Sequence, residues 1–340
     1  MLGLNYDFIF PKIHGIWADS FSVERINYLA VGQDLSALSR ALLAIGIDIK
    51  DRREVQKALF SKLIQQLYQI QRLLDEPLGK FYSGQIQRFY FENIKTILHY
   101  RYQRTETAGL ERVLIHGPGL PELPLEGLLE AKSVHQFYQT LPEHPCKEKM
   151  LPILVELDDS KDMLAAECKI DELYYGWLTG MAFGLPRIHS KTAAEIVGME
   201  IDSLNIITCL RNIAVYEIAP ARIRKLLIEQ RGQLSSSTLD KIASATDSAE
   251  LVTKLPAPYR QTLRRHANDR LYVRENALWS LIYHKCYRYF RDFNRPPLSV
   301  LAFPFLKRFE YLNLSRLFEG LYLGLAPGVI RSMIIGGENV

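Results

Sequence analysis

The apolar residues of this chain return every three or four positions over most of its length. Between Val55 and Leu74 they fall at Val55, Leu59, Leu63, Leu67, Ile70 and Leu74, near one face of a helix. Leu278, Leu281, Ile282 and Tyr289 do the same further on, with Arg and Lys between them. The alternation of β-branched residues that a sheet needs is hard to find anywhere. Clusters of Pro and Gly at 116–124, 255–259, 294–298 and 326–328 read as helix ends and turns. The pattern predicts an all-α protein.

Part of that pattern is written three times. INYLAVGQDLSALSRALL from Ile26, LEGLLEAKSVHQFYQTL from Leu125 and LDKIASATDSAELVTKL from Leu239 align without gaps. Apolar residues coincide at Ile26, Leu125 and Leu239, and again at Leu29, Leu128 and Ile242. A small residue follows at Gly32, Ala131 and Ala245, where one helix can end. Two positions later stands an N-cap residue in every copy: Asp34, Ser133 and Asp247. Gln136 and Glu250 add a capping-box partner in the last two. Four-residue spacing then resumes at Leu38, Phe137 and Leu251, and at Leu42, Leu141 and Leu255. Each copy predicts a helical hairpin.

A second motif comes after each hairpin. Asn93, Asn205 and Asn313 each begin an apolar run: Ile94, Ile97 and Leu98, then Ile206, Cys209 and Leu210, then Leu314, Leu317 and Phe318. An acid stands three positions before two of these Asn residues, Asp202 and Glu310; Tyr90 takes its place in the first copy. Ala-Pro appears only in the second and third copies, which predicts Pro220 and Pro327 at the first position of a new helix. Ile223, Leu226 and Leu227, and Ile330, Met333 and Ile334, are expected to face inward, with Arg224 and Arg331 beside that face. Asn is a mediocre helix former. Three of them in apolar helices point to side chains that satisfy backbone groups of a neighbouring helix. A ring of Asn lining a binding surface is the alternative. The repeats divide the chain into domains at 1–108, 109–228 and 229–340.

Composition narrows the class. With 48% apolar and 24% charged residues the chain is globular rather than disordered. No stretch reaches the apolar length that spans a bilayer, and the amino terminus lacks the basic leader and apolar run of a signal peptide. Cys146, Cys168, Cys209 and Cys286 are scattered, as reduced thiols are. The expectation is a soluble, cytoplasmic protein. Charge is uneven: the residues from Arg222 onward carry +9 and those before it −5. The carboxy-terminal third could thus face an acidic partner.

Catalytic signatures are absent. HGPG at His116–Gly119 lacks the Gly-Lys-Ser/Thr of a phosphate loop, and neither GxGxxG nor GxSxG occurs. His144-Pro145-Cys146 is a close His/Cys pair, and two ligands do not make a zinc site. The acidic run Glu156–Asp162 lacks the ligand alternation of a calcium loop and reads as a linker or helix start. The Arg- and aromatic-rich segment 264–295 would suit a nucleic-acid surface, but Asp269, Glu275 and Asp292 interrupt it. No cofactor, metal or catalytic residue is expected.

Taken in order, these motifs resemble the C subunit of archaeal and bacterial vacuolar-type rotary ATPases, known as the d subunit in eukaryotes. EIDSLNIITCLRNIAVYEIAPARIRKLLI resembles the family's acid-x-x-Asn helix and the Pro-started helix after it. SATDSAELVTKLPAPY resembles the next hairpin, ending at Pro258 and Tyr259. LKRFEYLNLSRLFEGLYLGLAPGVIRSMII resembles the terminal segment, with Glu310 and Asn313 in its Glu-x-x-Asn. Pro11 and Lys12 replace an Ala-Arg pair of the family, and the first repeat fits loosely. The resemblance implies three pseudo-threefold-related helical domains forming a funnel. It implies a non-catalytic rotor subunit of the central stalk, seated on the membrane proteolipid ring and gripping shaft subunits D and F, in a complex that links ATP to ion transport. It implies a peripheral place on the cytoplasmic face of the membrane, with neither a small-molecule substrate nor nucleic acid as partner. The basic groups at the repeated junctions, Arg211, Arg222, Arg224 and Arg331, are the contact candidates. The alternatives are a helical-repeat scaffold outside the rotary machine and a nucleic-acid-binding protein.

Overall fold

Helices succeed one another along the chain in a computed structural model that describes residues 6–49, 51–103, 109–229 and 232–337. They are α1 (Tyr6–Ala18), α2 (Val23–Gly32), α3 (Leu35–Ala44), α4 (Val55–Gln71), α5 (Glu76–Gln103) and α6 (Leu110–Val113). Next come α7 (Leu125–Glu130), α8 (Val134–Thr140), α9 (Lys147–Ser160), α10 (Met163–Gly184), α11 (Arg187–Arg211) and α12 (Pro220–Leu226). The last are α13 (Ser236–Ala243), α14 (Ser248–Lys254), α15 (Ala257–Arg265), α16 (Leu271–Phe290), α17 (Pro296–Tyr322) and α18 (Pro327–Ser332). No strand occurs among the described residues, so the protein is all-α. Within them no helix is long and apolar enough to cross a membrane. Residues 1–5, on which part of the amino-terminal reading rests, and the repeat boundary at 108 lie outside the described residues.

The chain divides into two units, one of Met1–Ile49 with Leu185–Val340 and one of Lys50–Gly184. In the second unit α4 buries Val55, Leu59, Leu63, Leu67 and Ile70 against α5, as their spacing requires. Each such side chain removed from water contributes about 1.5–3 kcal/mol. Helix α5 is held between α4 and α10 and buries both its faces. Gly84 on α5 lets Leu178 and Met181 of α10 come close; a Cβ there would meet the ends of both side chains at 2.9 Å and force them to shift. The acidic run 156–162 spans the end of α9 and the start of α10 rather than a linker. Lys161 closes α9 in the left-handed region, and Asp162 then caps α10 by accepting from Ala165 N.

In the other unit α17 is the most enclosed element. It packs against α1, α2, α3, α11, α16 and α18 and is buried almost continuously from Leu298 to Tyr311. Its charged groups are therefore paired. Lys307 Nζ lies 2.5 Å from Glu310 Oε2 and 2.8 Å from Ser20 Oγ, and Arg308 pairs with Glu200 of α11. Unpaired, such groups would carry a desolvation cost of several kcal/mol each.

The hairpins form at their caps. Asp34 accepts from Ser36 N and Ala37 N, Ser133 from Gln136 N and Asp247 from Glu250 N. The capping-box side chains reach one residue further back than expected, to Lys132 N from Gln136 and to Thr246 N from Glu250. Each hairpin lies on a long helix of the preceding copy: α7 on α5, α13 on α11, and α2 and α3 on α17. The packing is thus out of phase with the sequence repeat, and the first hairpin is carried by the last long helix.

Candidate functional site

The three Asn residues do the same thing. Asn93 donates from Nδ2 to Ile115 O at 2.7 Å and accepts from Ile115 N at 2.9 Å. Asn205 makes the same pair of bonds with Ile228 at 2.9 and 2.8 Å, and Asn313 with Ile335 at 2.9 and 2.8 Å. One side-chain amide therefore satisfies both backbone groups of one residue, buried at Ile228 and Ile335 and half-buried at Ile115, and all three Asn are at most 5% exposed. The clamped residue closes an aliphatic pair in each copy: Leu114-Ile115, Leu227-Ile228 and Ile334-Ile335. Sequence reading found the Asn but not its partner, although the aliphatic pair recurs 22 or 23 residues downstream.

The acid three residues before Asn205 and before Asn313 anchors the start of the hairpin packed on its helix. Asp202 accepts from Gln233 N at 2.9 Å, Leu234 N at 3.1 Å and Tyr259 Oη at 2.9 Å. Glu310 accepts from Phe21 N at 2.9 Å, and Phe21 aligns with Leu234. Tyr90 has no carboxylate, and its ring instead stacks on His144. One helical turn earlier stand Gln87, Met199 and Lys307. Gln87 donates to Gly119 O, and Lys307 holds Ser20 and Glu310 together. Met199 offers no charge, so Asp202 is a buried carboxylate with no cation at that position. Burial pushes its pKa up to about 6, outweighing the bonds from Leu234, Tyr259 and Gln233 that pull it down.

The predicted helix starts lie where Pro220 and Pro327 open α12 and α18, each at the first helical position. Ile223, Leu226, Leu227, Ile330 and Ile334 are buried behind them, and Met333 is half-buried. The four Arg residues separate. Arg211 is paired to Glu275 through Nε at 2.7 Å and Nη2 at 2.8 Å. Arg224 joins α12 to the next hairpin through Asp240 at 2.5 Å, Glu229 at 2.6 Å and Ser236 at 3.1 Å. Arg222 and Arg331 are exposed. Sequence reading missed the apolar groups at the same two junctions, Val215 and Tyr216 before α12 and Tyr322 and Leu323 before α18, which are 50–63% exposed.

His144-Pro145-Cys146 is a turn in which His144 Nδ1 accepts from Cys146 N at 3.0 Å. Burial lowers the imidazole to about pH 4 and raises the Cys146 thiol to about 11, so both are neutral. Among the described residues no three His, Cys, Asp or Glu side chains gather as metal ligands.

A serial arrangement of helical hairpins on long helices, each long helix carrying the same Asn clamp, defines an all-α repeat protein. A family model of the ATP synthase (C/AC39) subunit matches residues 23–333, and the chain belongs to that family, the C/d subunits of V/A-type ATPases. No individual curated protein gives a significant match.

Proposed function

We propose that this chain is a non-catalytic rotor subunit of the central stalk, coupling shaft subunits D and F to the membrane proteolipid ring in ATP-linked ion transport. On this reading it is peripheral on the cytoplasmic face of the membrane and acts through protein contacts, without a substrate, cofactor or nucleic acid. Membership in the family supports the reading. The observation that carries it is the clamp repeated at Asn93, Asn205 and Asn313. A part that transmits torque needs rigid repeats at 1–108, 109–228 and 229–340, in which the segment after each long helix cannot slide on that helix. A bidentate side-chain lock at each repeat resists sliding better than apolar packing alone, because its hydrogen bonds are directional. The proposed contact groups are Arg222 and Arg331 with the exposed Val215, Tyr216, Tyr322 and Leu323; Arg211 and Arg224 hold the junctions themselves.

The test is coupling. Membranes from cells lacking the chain should lose ATP-driven ion accumulation and regain it when the purified chain is supplied. Unchanged transport in its absence would sink the reading.

A further inference from the structure

Helix α16 begins without a side-chain cap, because its N-cap residue is Arg270, which has no acceptor to offer. Leu271 N and Tyr272 N make no hydrogen bond to any described residue. One turn on, at the spacing that puts two residues on one face, stands Arg274. Only 8% of it is exposed, yet its side chain has neither an ion pair nor a hydrogen bond among the described residues. Its Nε is enclosed and unpartnered, while the two Nη groups are not closed off in this way. Helical side chains lean toward the amino end, which directs this guanidinium to the uncapped turn. Burial alone lowers its pKa, with no carboxylate near enough to counter it. The two acids beside it in sequence are already engaged, Asp269 with His266 Nδ1 at 2.7 Å and Glu275 with Arg211. The preceding helix α15 ends on the exposed Arg264 and Arg265.

We propose that the amino end of α16 is an oxyanion-binding site that takes a phosphate group, held by Arg270, Arg274 and the first backbone N–H groups of the helix. Two guanidiniums and a helix terminus worth about half a positive charge match the roughly −1.5 to −2 of a phosphate monoester. Guanidinium also presents the paired donors that fit phosphate oxygens. This site is independent of the rotor reading and uses none of its contact groups.

Free phosphate and lipid headgroups present the same chemistry, and two arms of one experiment separate them. Binding of the full chain to inorganic phosphate is measured by calorimetry, and its retention on vesicles of phosphatidic acid is compared with retention on phosphatidylcholine. Each arm is repeated with Arg270→Gln, whose exposed side chain the fold does not need, and with Arg274→Met, which keeps the apolar stem. Each variant should weaken binding by about tenfold or more, the loss of one charge-assisted partner. Phosphate binding that both variants impair supports the site with a soluble ligand; retention on phosphatidic acid alone, lost in both, supports it with a lipid. Absence of binding in both arms overturns the proposal, as does binding that neither variant changes.

Discussion

A buried Asn is useful here because one amide presents a donor and an acceptor at a fixed spacing, matching the N–H and C=O of one residue. Removing it strands both. Asn313→Ala should cost about 2–4 kcal/mol, the penalty of two buried backbone groups left unpaired, read as a lower urea midpoint at unchanged m-value. Asp202 makes a second, pH-dependent prediction. Its carboxyl is raised from 3.8 to about 6 in the fold, so the native state keeps its proton to a higher pH than the unfolded chain. The contribution is therefore fully present below about pH 4, lost as pH rises through about 6, and level beyond that. Over that window the wild type should lose on the order of 2–3 kcal/mol relative to Asp202→Asn; parallel stability curves would contradict the assignment. The Asn residues were legible in the sequence because a polar side chain in an apolar helix stands out. Their partners were not, because the aliphatic pair that recurs 22 or 23 residues on is ordinary in an apolar chain and does not announce a backbone hydrogen bond. The contrast between Met199 and Lys307 was readable, but its meaning depends on knowing that both positions are buried.

Among the elements, the hairpins were the most legible part of the fold. Asp34, Ser133 and Asp247 announce themselves as caps by residue type and by the apolar spacing downstream of them. The reach of Gln136 and Glu250 to the residue before the cap was not readable, since it is a matter of chain direction. The second junction conceals a further feature. Fifteen residues separate Asn205 from Pro220 and fourteen separate Asn313 from Pro327. The structure takes up the extra residue as a π-helical turn over Asn212–Tyr216, which Asn212 closes by bonding both backbone groups of Ile218. A π-turn is what one added residue makes of an α-helix. Deleting Ala214 from this exposed turn should restore the spacing of the third repeat and leave a folded protein, with a melting temperature lowered by no more than about 2–4 °C, the equivalent of ~1 kcal/mol. Loss of cooperative melting would mean that the turn is required by the fold.

For the whole molecule, the repeat explains why the first hairpin needs the last long helix. Phe21 N and Ser20 Oγ are held by Glu310 and Lys307, some 290 residues away along the chain. The two ends of the sequence thus complete one unit between them, which no local pattern announces; the unit boundaries at Ile49 and Leu185 fall within sequence repeats for that reason. The rotor reading rests on this repetition and on the family, and recovery of partners tests it most directly. A tagged chain expressed in its native cell, extracted gently with the membranes and analysed by mass spectrometry, should bring with it a proteolipid, the shaft subunits and the nucleotide-binding subunits at near one copy of the chain per complex. Recovery of the chain alone, or with unrelated partners, would contradict the account.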